Sequence, residues 1–175
     1  DLLFSRHQNI DRIFSIESDP QKRDAYFSEV NVRLLTRQKF MDDKQLPDII
    51  KYIDPSIPYF IVVDFSKSRL YLFDNQATKP LLLIDHYVTI GKKGINKEKQ
   101  GDLKTPIGVY HITGFLNDNQ LPELYGWGAF PINYPNTWDQ LHNRTGSGIW
   151  LHGVPRNTYS RPPMDSKGCL TLSNE

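Results

Sequence analysis

The sequence predicts a mainly β protein, a β-sandwich or barrel-like core preceded by a small α-helical amino-terminal region. Two observations lead there. After Pro58, short runs rich in β-branched and aromatic residues alternate with Gly, Pro, Asn and Asp turns, and helical periodicity nearly vanishes. Before Asp54, apolar positions recur at roughly helical intervals among charges. At 175 residues the chain suits one main domain with a small appendage and buries a proper core. We divide it into a helical region over residues 1–54 and a main domain over residues 58–175.

In the first region Leu3, Ile10, Ile13 and Phe14, then Tyr26, Phe27, Leu34 and Leu35, mark two to four helical segments. Pro20 and Pro47 each fit the first turn of a helix. This region either packs on the main domain or makes a homodimer; the sequence leaves both open. At "DPSIP" the pattern changes. "YFIVVDF" and "RLYLFDN" read as two strands of a hairpin turning at "SKS". "LLLIDHYVTIG" is a third strand and "IGVYHITG" a fourth, with further strands in "GAFPINYP", "GIWLHG" and "CLTL". Long loops at 117–127 and 153–167 are of the length that usually serves function.

Composition narrows the function. A net charge of +1 gives no electrostatic footprint for nucleic acid or an anionic membrane. No apolar run approaches the length of a transmembrane helix. Cys169 is the sole cysteine, so there is no intrachain disulfide and no multi-cysteine metal centre. The five His show no HxH or HxxxH spacing, so neither a metal nor another cofactor is expected. "GKKGINKEKQ" lacks the order of a phosphate loop.

The chemistry concentrates near the carboxy terminus. In "GIWLHG" alternation puts Trp150 and His152 on one face and Ile149 and Leu151 on the other. In "CLTL" it puts Cys169 and Thr171 opposite Leu170 and Leu172. If the strands are neighbours, imidazole and thiol meet, and the sixteen residues between them form a covering loop. An imidazole beside a thiol raises its reactive fraction and later protonates a leaving amine. Gly168 permits a sharp turn on which consecutive N–H groups from Lys167 to Cys169 point at a developing oxyanion. The second ring nitrogen of His152 needs an acceptor. No Asp or Asn stands out, so a backbone carbonyl is expected. On spacing alone, a buried structural cysteine is as good a reading as a nucleophile.

"IWLHG" followed after a loop by "SKGCLTLSN" resembles the signature of the L,D-transpeptidase catalytic domain, the YkuD family. "VDFSKSRLYLF" resembles that family's opening hairpin, "QGDLKTPIGVYHI" its G-D-x-x-T-P-x-G-x-Y segment, and "AFPINYPN" its central strand. The resemblance covers roughly residues 58–175 and is nearest to the subgroup of cell-shape-determining L,D-carboxypeptidases. It implies a β-rich fold and an enzyme of the bacterial periplasm or cell envelope acting on peptidoglycan stem peptides. It implies Cys169 as nucleophile, His152 as base and acid, and Gly168 on the oxyanion turn. Ser166, Lys167, Arg156, Arg161, Trp150 and Tyr134 are the candidate substrate-binding residues, Ser166 in a structural or binding role and the two arginines as holders of substrate carboxylates. Pro162 and Pro163 would stiffen the covering loop as a lid. Two positions depart from the family pattern: Lys167 stands where His or Arg is common, and Thr171 where Arg is common.

The family domain continues beyond the cysteine strand, so a carboxy-terminal truncation with an unpaired edge at that strand is expected. Water as acceptor gives a carboxypeptidase, and an amine gives a 3–3 cross-link or protein attachment. A non-catalytic wall-binding module and a thiol hydrolase of an unrelated amide are the rivals.

Overall fold

The computed structural model describes residues 50–174 and, before them, residues 19–21, 23, 24, 27, 30, 31 and 34. Within the latter group Pro20, Gln21, Arg23, Asp24, Phe27, Val30, Asn31 and Leu34 are helical. The Asp19 carboxylate accepts from the Gln21 N–H at 2.9 Å, and the Asp19 carbonyl accepts from Arg23. Asp19 is therefore an N-cap, and Pro20 is the first helical residue, the place the sequence predicts for that proline. The other expected helical positions before residue 50, including Pro47, lie outside the described residues, as does any self-association they support.

The main domain is a single hydrogen-bonded path of strands. These are β1 (Tyr59–Asp64), β2 (Arg69–Asp74), β3 (Leu81–Gly91), β4 (Leu116–Asn117), β5 (Gly128–Pro131), β6 (Trp150–His152), β7 (Met164–Ser166) and β8 (Leu170–Leu172). Their spatial order is β1-β2-β3-β8-β6-β5-β4, with β7 joined to β3 off this path. The first hairpin turns over residues 65–68, where Ser68 takes φ 53 and the Asp64 carboxylate accepts from the N–H groups of Ser66 and Lys67. Strand β3 serves three partners in succession. It pairs with β2 through Tyr87, with β8 at Val88 and Thr89, and in parallel with β7 at Ile90 and Gly91. Its length thus joins the hairpin to the carboxy-terminal strands.

Three expectations change. "IGVYHITG" forms no strand; it meets the sheet at the bridge between Ile112 and Ile132 and where Thr113 bonds to the Pro131 carbonyl. The Asn133 side chain takes the His111 N–H, and Val109 stays 92% exposed, so the run has no ladder to join. A short helix, α1 (Thr137–Leu141), was not legible. It is closed by a reciprocal cap in which Asn136 Oδ1 accepts from Asp139 N–H and Asp139 Oδ2 from Asn136 N–H. The cysteine strand is no edge: β8 lies between β3 and β6, and the path ends at β1 and β4.

The register that matters is between β6 and β8, which run parallel with Leu151 opposite Leu170 and His152 opposite Thr171. Leu151 joins Leu70 and Val88 in the core, with Val63, Leu170 and Leu172 packed against them. Burying each such side chain stabilises by about 1.5–3 kcal/mol. A one-residue slip would take the leucines out of this cluster and put His152 and Thr171 into it, so packing sets which face carries the polar groups.

Candidate active site

With that register, Trp150, His152, Cys169 and Thr171 share one face of the paired strands. The sequence-predicted meeting of imidazole and thiol strands is therefore realised. The His152 ring is 6% exposed, and its Nδ1 lies 2.6 Å from the Gly153 carbonyl. A carbonyl accepts only, so Nδ1 carries the proton and Nε2 keeps its lone pair. The expected backbone acceptor is thus the residue next in sequence. Nε2 faces the Thr171 hydroxyl at 3.5 Å.

Burial drives the His152 imidazole down to about 4; the Gly153 hydrogen bond opposes this and the Arg161 guanidinium adds to it. Burial likewise pushes the Cys169 thiol up, against the backbone N–H of Trp150 and the charges of Arg161 and Lys97. Both shifts favour the neutral forms, against the expectation of a thiol whose reactive fraction its neighbour raises. The Cys169 sulfhydryl donates to the Gly148 carbonyl at 3.4 Å. The arrangement puts a thiol and an unprotonated ring nitrogen on adjoining strands, the two groups that a proton transfer needs when an electrophile arrives.

The turn before Cys169 is built by three residues. Gly168 takes φ 127, and a Cβ there would lie 2.7 Å from the Lys104 carbonyl, so only glycine fits. Ser166 is buried; its hydroxyl donates to the Cys169 carbonyl at 2.6 Å and accepts the Gly168 N–H at 3.0 Å. Ser166 thus takes the structural one of its two expected roles, closing the turn, and the Gly168 N–H is already engaged. That leaves the N–H groups of Lys167 and Cys169 as the turn's candidate oxyanion donors.

Thr105, from the "QGDLKTPIGVYHI" segment, is the third builder. Its hydroxyl donates to the Gly168 carbonyl at 3.0 Å and accepts the Gly91 N–H at 2.9 Å. Asp102 secures the loop that presents it, accepting from the N–H groups of Glu98, Lys99 and Lys104 and from Lys97 Nζ. Burial works against that carboxylate, but these donors outweigh it and hold Asp102 well below the usual range.

The other predicted residues separate. Arg161 is electrostatically within reach of both His152 and Cys169. Its carbonyl accepts from Tyr87 Oη and Thr89 Oγ1, and the Pro163 carbonyl accepts from Ile90 N–H. With β7 also paired, this stretch of the covering loop is stitched to β3 and is no free lid. Arg156 is exposed, paired with Asp118 and stacked 4.3 Å over the Trp127 ring, so its charge is already met. Lys167 is exposed at the turn. Trp150 is half-buried against Tyr125. Tyr134 is buried, with its hydroxyl on the Thr145 carbonyl and its ring edge-on to Tyr110, so it packs the interior instead of lining a groove.

Tyr125 was missed. It ends the 3-10 turn Glu123–Tyr125 in the predicted long loop, with its ring 4.9 Å from the His152 ring at 74°. The loop length was the available signal. Asn174 ties the far end of β6: its amide donates to the Val154 carbonyl at 2.7 Å and its oxygen accepts the Val154 N–H. Among the described residues no group of His, Cys, Asp or Glu is arranged to hold a metal, and no helix is long and apolar enough to cross a membrane.

A strained glycine turn before a cysteine, parallel to a strand bearing a tautomer-fixed histidine, agrees with the family resemblance of the sequence. The chain belongs to the L,D-transpeptidase catalytic domain family (YkuD), which matches residues 58–175. It is 27% identical over 120 residues to the putative L,D-transpeptidase YafK of Escherichia coli, covering 67% of this chain and 44% of that protein. Its structure is similar to that of Bdellovibrio bacteriovorus Bd1075, at 35% identity and TM-score 0.54, over 67% of this chain and 40% of that one. It is also similar to the helical cell shape determining protein Pgp2 from Campylobacter jejuni, at 33% identity and TM-score 0.50, over 61% of this chain and 36% of that one. The chain thus spans less than half the length of each of these relatives.

Proposed function

We propose that this protein is a cysteine enzyme of the bacterial periplasm or cell envelope that trims peptidoglycan. It cleaves the L,D bond between the diamino acid and D-Ala of a tetrapeptide stem. One observation supports this reading above the others: His152, with Nε2 unprotonated, stands on the strand paired to the one that Cys169 enters, in a chain of the L,D-transpeptidase family. His152 Nε2 takes the Cys169 proton as sulfur attacks the carbonyl of the diamino acid, and the Cys169 N–H meets the oxyanion. The imidazolium then protonates the departing D-Ala amine, leaving a thioester on Cys169. Water, deprotonated by the restored imidazole, releases the tripeptide. Arg161 holds a substrate carboxylate beside the pair.

Water is favoured over an amine acceptor because a transpeptidase must hold a second stem peptide. Thr171 supplies no guanidinium, and Arg156 is already paired with Asp118. The family and the names of the E. coli relatives favour transpeptidation as the second reading. A wall-binding module has no need of a tautomer-fixed His152 beside a thiol. The test is incubation with purified muropeptides and mass analysis. Tripeptide from tetrapeptide is the expected product, with loss of turnover in folded Cys169→Ala and His152→Ala. Main conversion to 3–3 dimers would reverse the choice of acceptor. Normal turnover by Cys169→Ala would overturn the mechanism.

A further inference from the structure

Thr171 is nearly sealed from solvent, at 1% exposure, and stands directly opposite His152 in the parallel register. Its other neighbour across the sheet is Thr89 on β3, so its backbone is held from both sides. Its Oγ1 lies 3.5 Å from His152 Nε2. Because Nδ1–H is committed to the Gly153 carbonyl at 2.6 Å, Nε2 is an acceptor and the threonine hydroxyl must be the donor. That contact is long and therefore weak, enough to aim the ring without holding its lone pair against a stronger claim.

We propose that Thr171 is a positioning residue for His152: its hydroxyl donates to Nε2 when the ring is neutral and turns to accept from Nε2–H when the ring takes up the Cys169 proton. The proposal rests on the reading of Cys169 and His152 as the reacting pair. In the step it serves, the S–H bond breaks with its electron pair left on sulfur, and the Nε2–H bond forms. The Thr171 O–H rotates to present a lone pair to the new donor. When Nε2 gives its proton to the leaving amine, the O–H turns back.

The surroundings explain why the imidazolium needs this acceptor. The groups that act on His152 are the Arg161 guanidinium from the covering loop, which opposes a positive ring, and the Gly153 carbonyl, already bonded to Nδ1. The Tyr125 ring meets it edge-on from the 3-10 turn, and Cys169 lies on the turn that enters β8. No carboxylate is among them. An arginine at position 171 would only donate and would add a second like charge, whereas a hydroxyl serves both protonation states. The departure from the family pattern thus becomes a functional feature of this chain.

The test compares Thr171→Val, which keeps the shape and removes the hydroxyl, with Thr171→Ser, which keeps the hydroxyl. The first readout is the titration of the His152 ring nitrogens by NMR. The second is kcat and KM on muropeptide tetrapeptide. A hydrogen bond to a charged group is lost in Thr171→Val, so its His152 should titrate lower than in the parent and its kcat should fall about ten- to a hundredfold with KM unchanged. Thr171→Ser should restore both. An unchanged His152 titration in Thr171→Val, or a Thr171→Ser as impaired as Thr171→Val, would overturn the proposal. If Thr171→Val does not fold, Thr171→Ala takes its place in the same comparison. The NMR readout needs no turnover, so a parent protein inactive on muropeptides would sink the functional reading while this proposal still receives its own answer.

Discussion

The Thr105 hydroxyl bonds to Gly168, donating to its carbonyl at 3.0 Å, while the same oxygen accepts the Gly91 N–H at 2.9 Å. One buried side chain thus fastens the turn before Cys169 to the end of β3. Thr105→Val keeps the volume but leaves a buried N–H and a buried carbonyl unpaired. We expect a loss of about 1–3 kcal/mol for each group so stranded. Chemical denaturation measures the stability, and muropeptide turnover should fall by more than the folded fraction alone explains. Unchanged stability and turnover would remove Thr105 from the support of the turn.

The buried His152 should make the fold sensitive to acid. Its folded-state value is lowered from 6.5 to about 4, so between these limits the unfolded chain binds a proton that the folded chain refuses. The stability is therefore present above about pH 6.5 and is lost as pH falls toward about 4. The loss is on the order of 2–3 kcal/mol. Asp102 titrates below its ordinary 3.8 and falls outside that window. Melting temperature followed over this range should drop in the parent and stay flatter in His152→Gln. Parallel curves would assign the acid sensitivity to other groups.

Cys169 should behave as a guarded thiol. Burial raises it more than the Trp150 N–H, Arg161 and Lys97 lower it, so the substrate-free protein holds less thiolate than a free cysteine does. Iodoacetamide at pH 6 should therefore label Cys169 more slowly than a model thiol, with the rate climbing through alkaline pH. Fast labelling that is flat from pH 5 upward would show a standing thiolate–imidazolium pair instead.

Tyr125 should matter through its ring. It meets His152 edge-on at 4.9 Å and Trp150 tilted at 5.0 Å, and exclusion of water is the main cause of the low His152 value. Tyr125→Ala opens the imidazole to solvent and should raise its titration toward 6.5, while Tyr125→Phe should leave it in place. NMR titration reads both. An unmoved His152 in Tyr125→Ala would mean that other groups keep the ring dry.

Much of the site was legible because strand alternation has a period of two and needs no partner to be read. "WLH" and "CLT" each show an aliphatic face and a polar one, and burial of Leu151 and Leu170 leaves His152 and Thr171 no other side to occupy. The backbone acceptor for His152 was foreseeable by elimination, and Gly153 fills it. The strand expected at "IGVYHITG" failed for the converse reason. Its apolar residues satisfy a local pattern, but a strand exists only where a neighbour offers a ladder, and Asn133 intercepts the bond at His111.

The sequence by itself determined the β class, the two faces of the terminal strands, the identity of the thiol and the imidazole, and the family. These are properties of residue type and short-range order. Tertiary structure alone decided how those groups are poised. Burial shifts both of them toward their neutral forms, Ser166 and Thr105 take the polar groups of the Gly168 turn, and Tyr134 and Arg156 are drawn into other contacts. Tyr125 and Thr171 reach His152 from positions 27 and 19 residues away in the chain. Desolvation and hydrogen-bond occupancy depend on which groups surround an atom in space, and separation along the chain does not encode that.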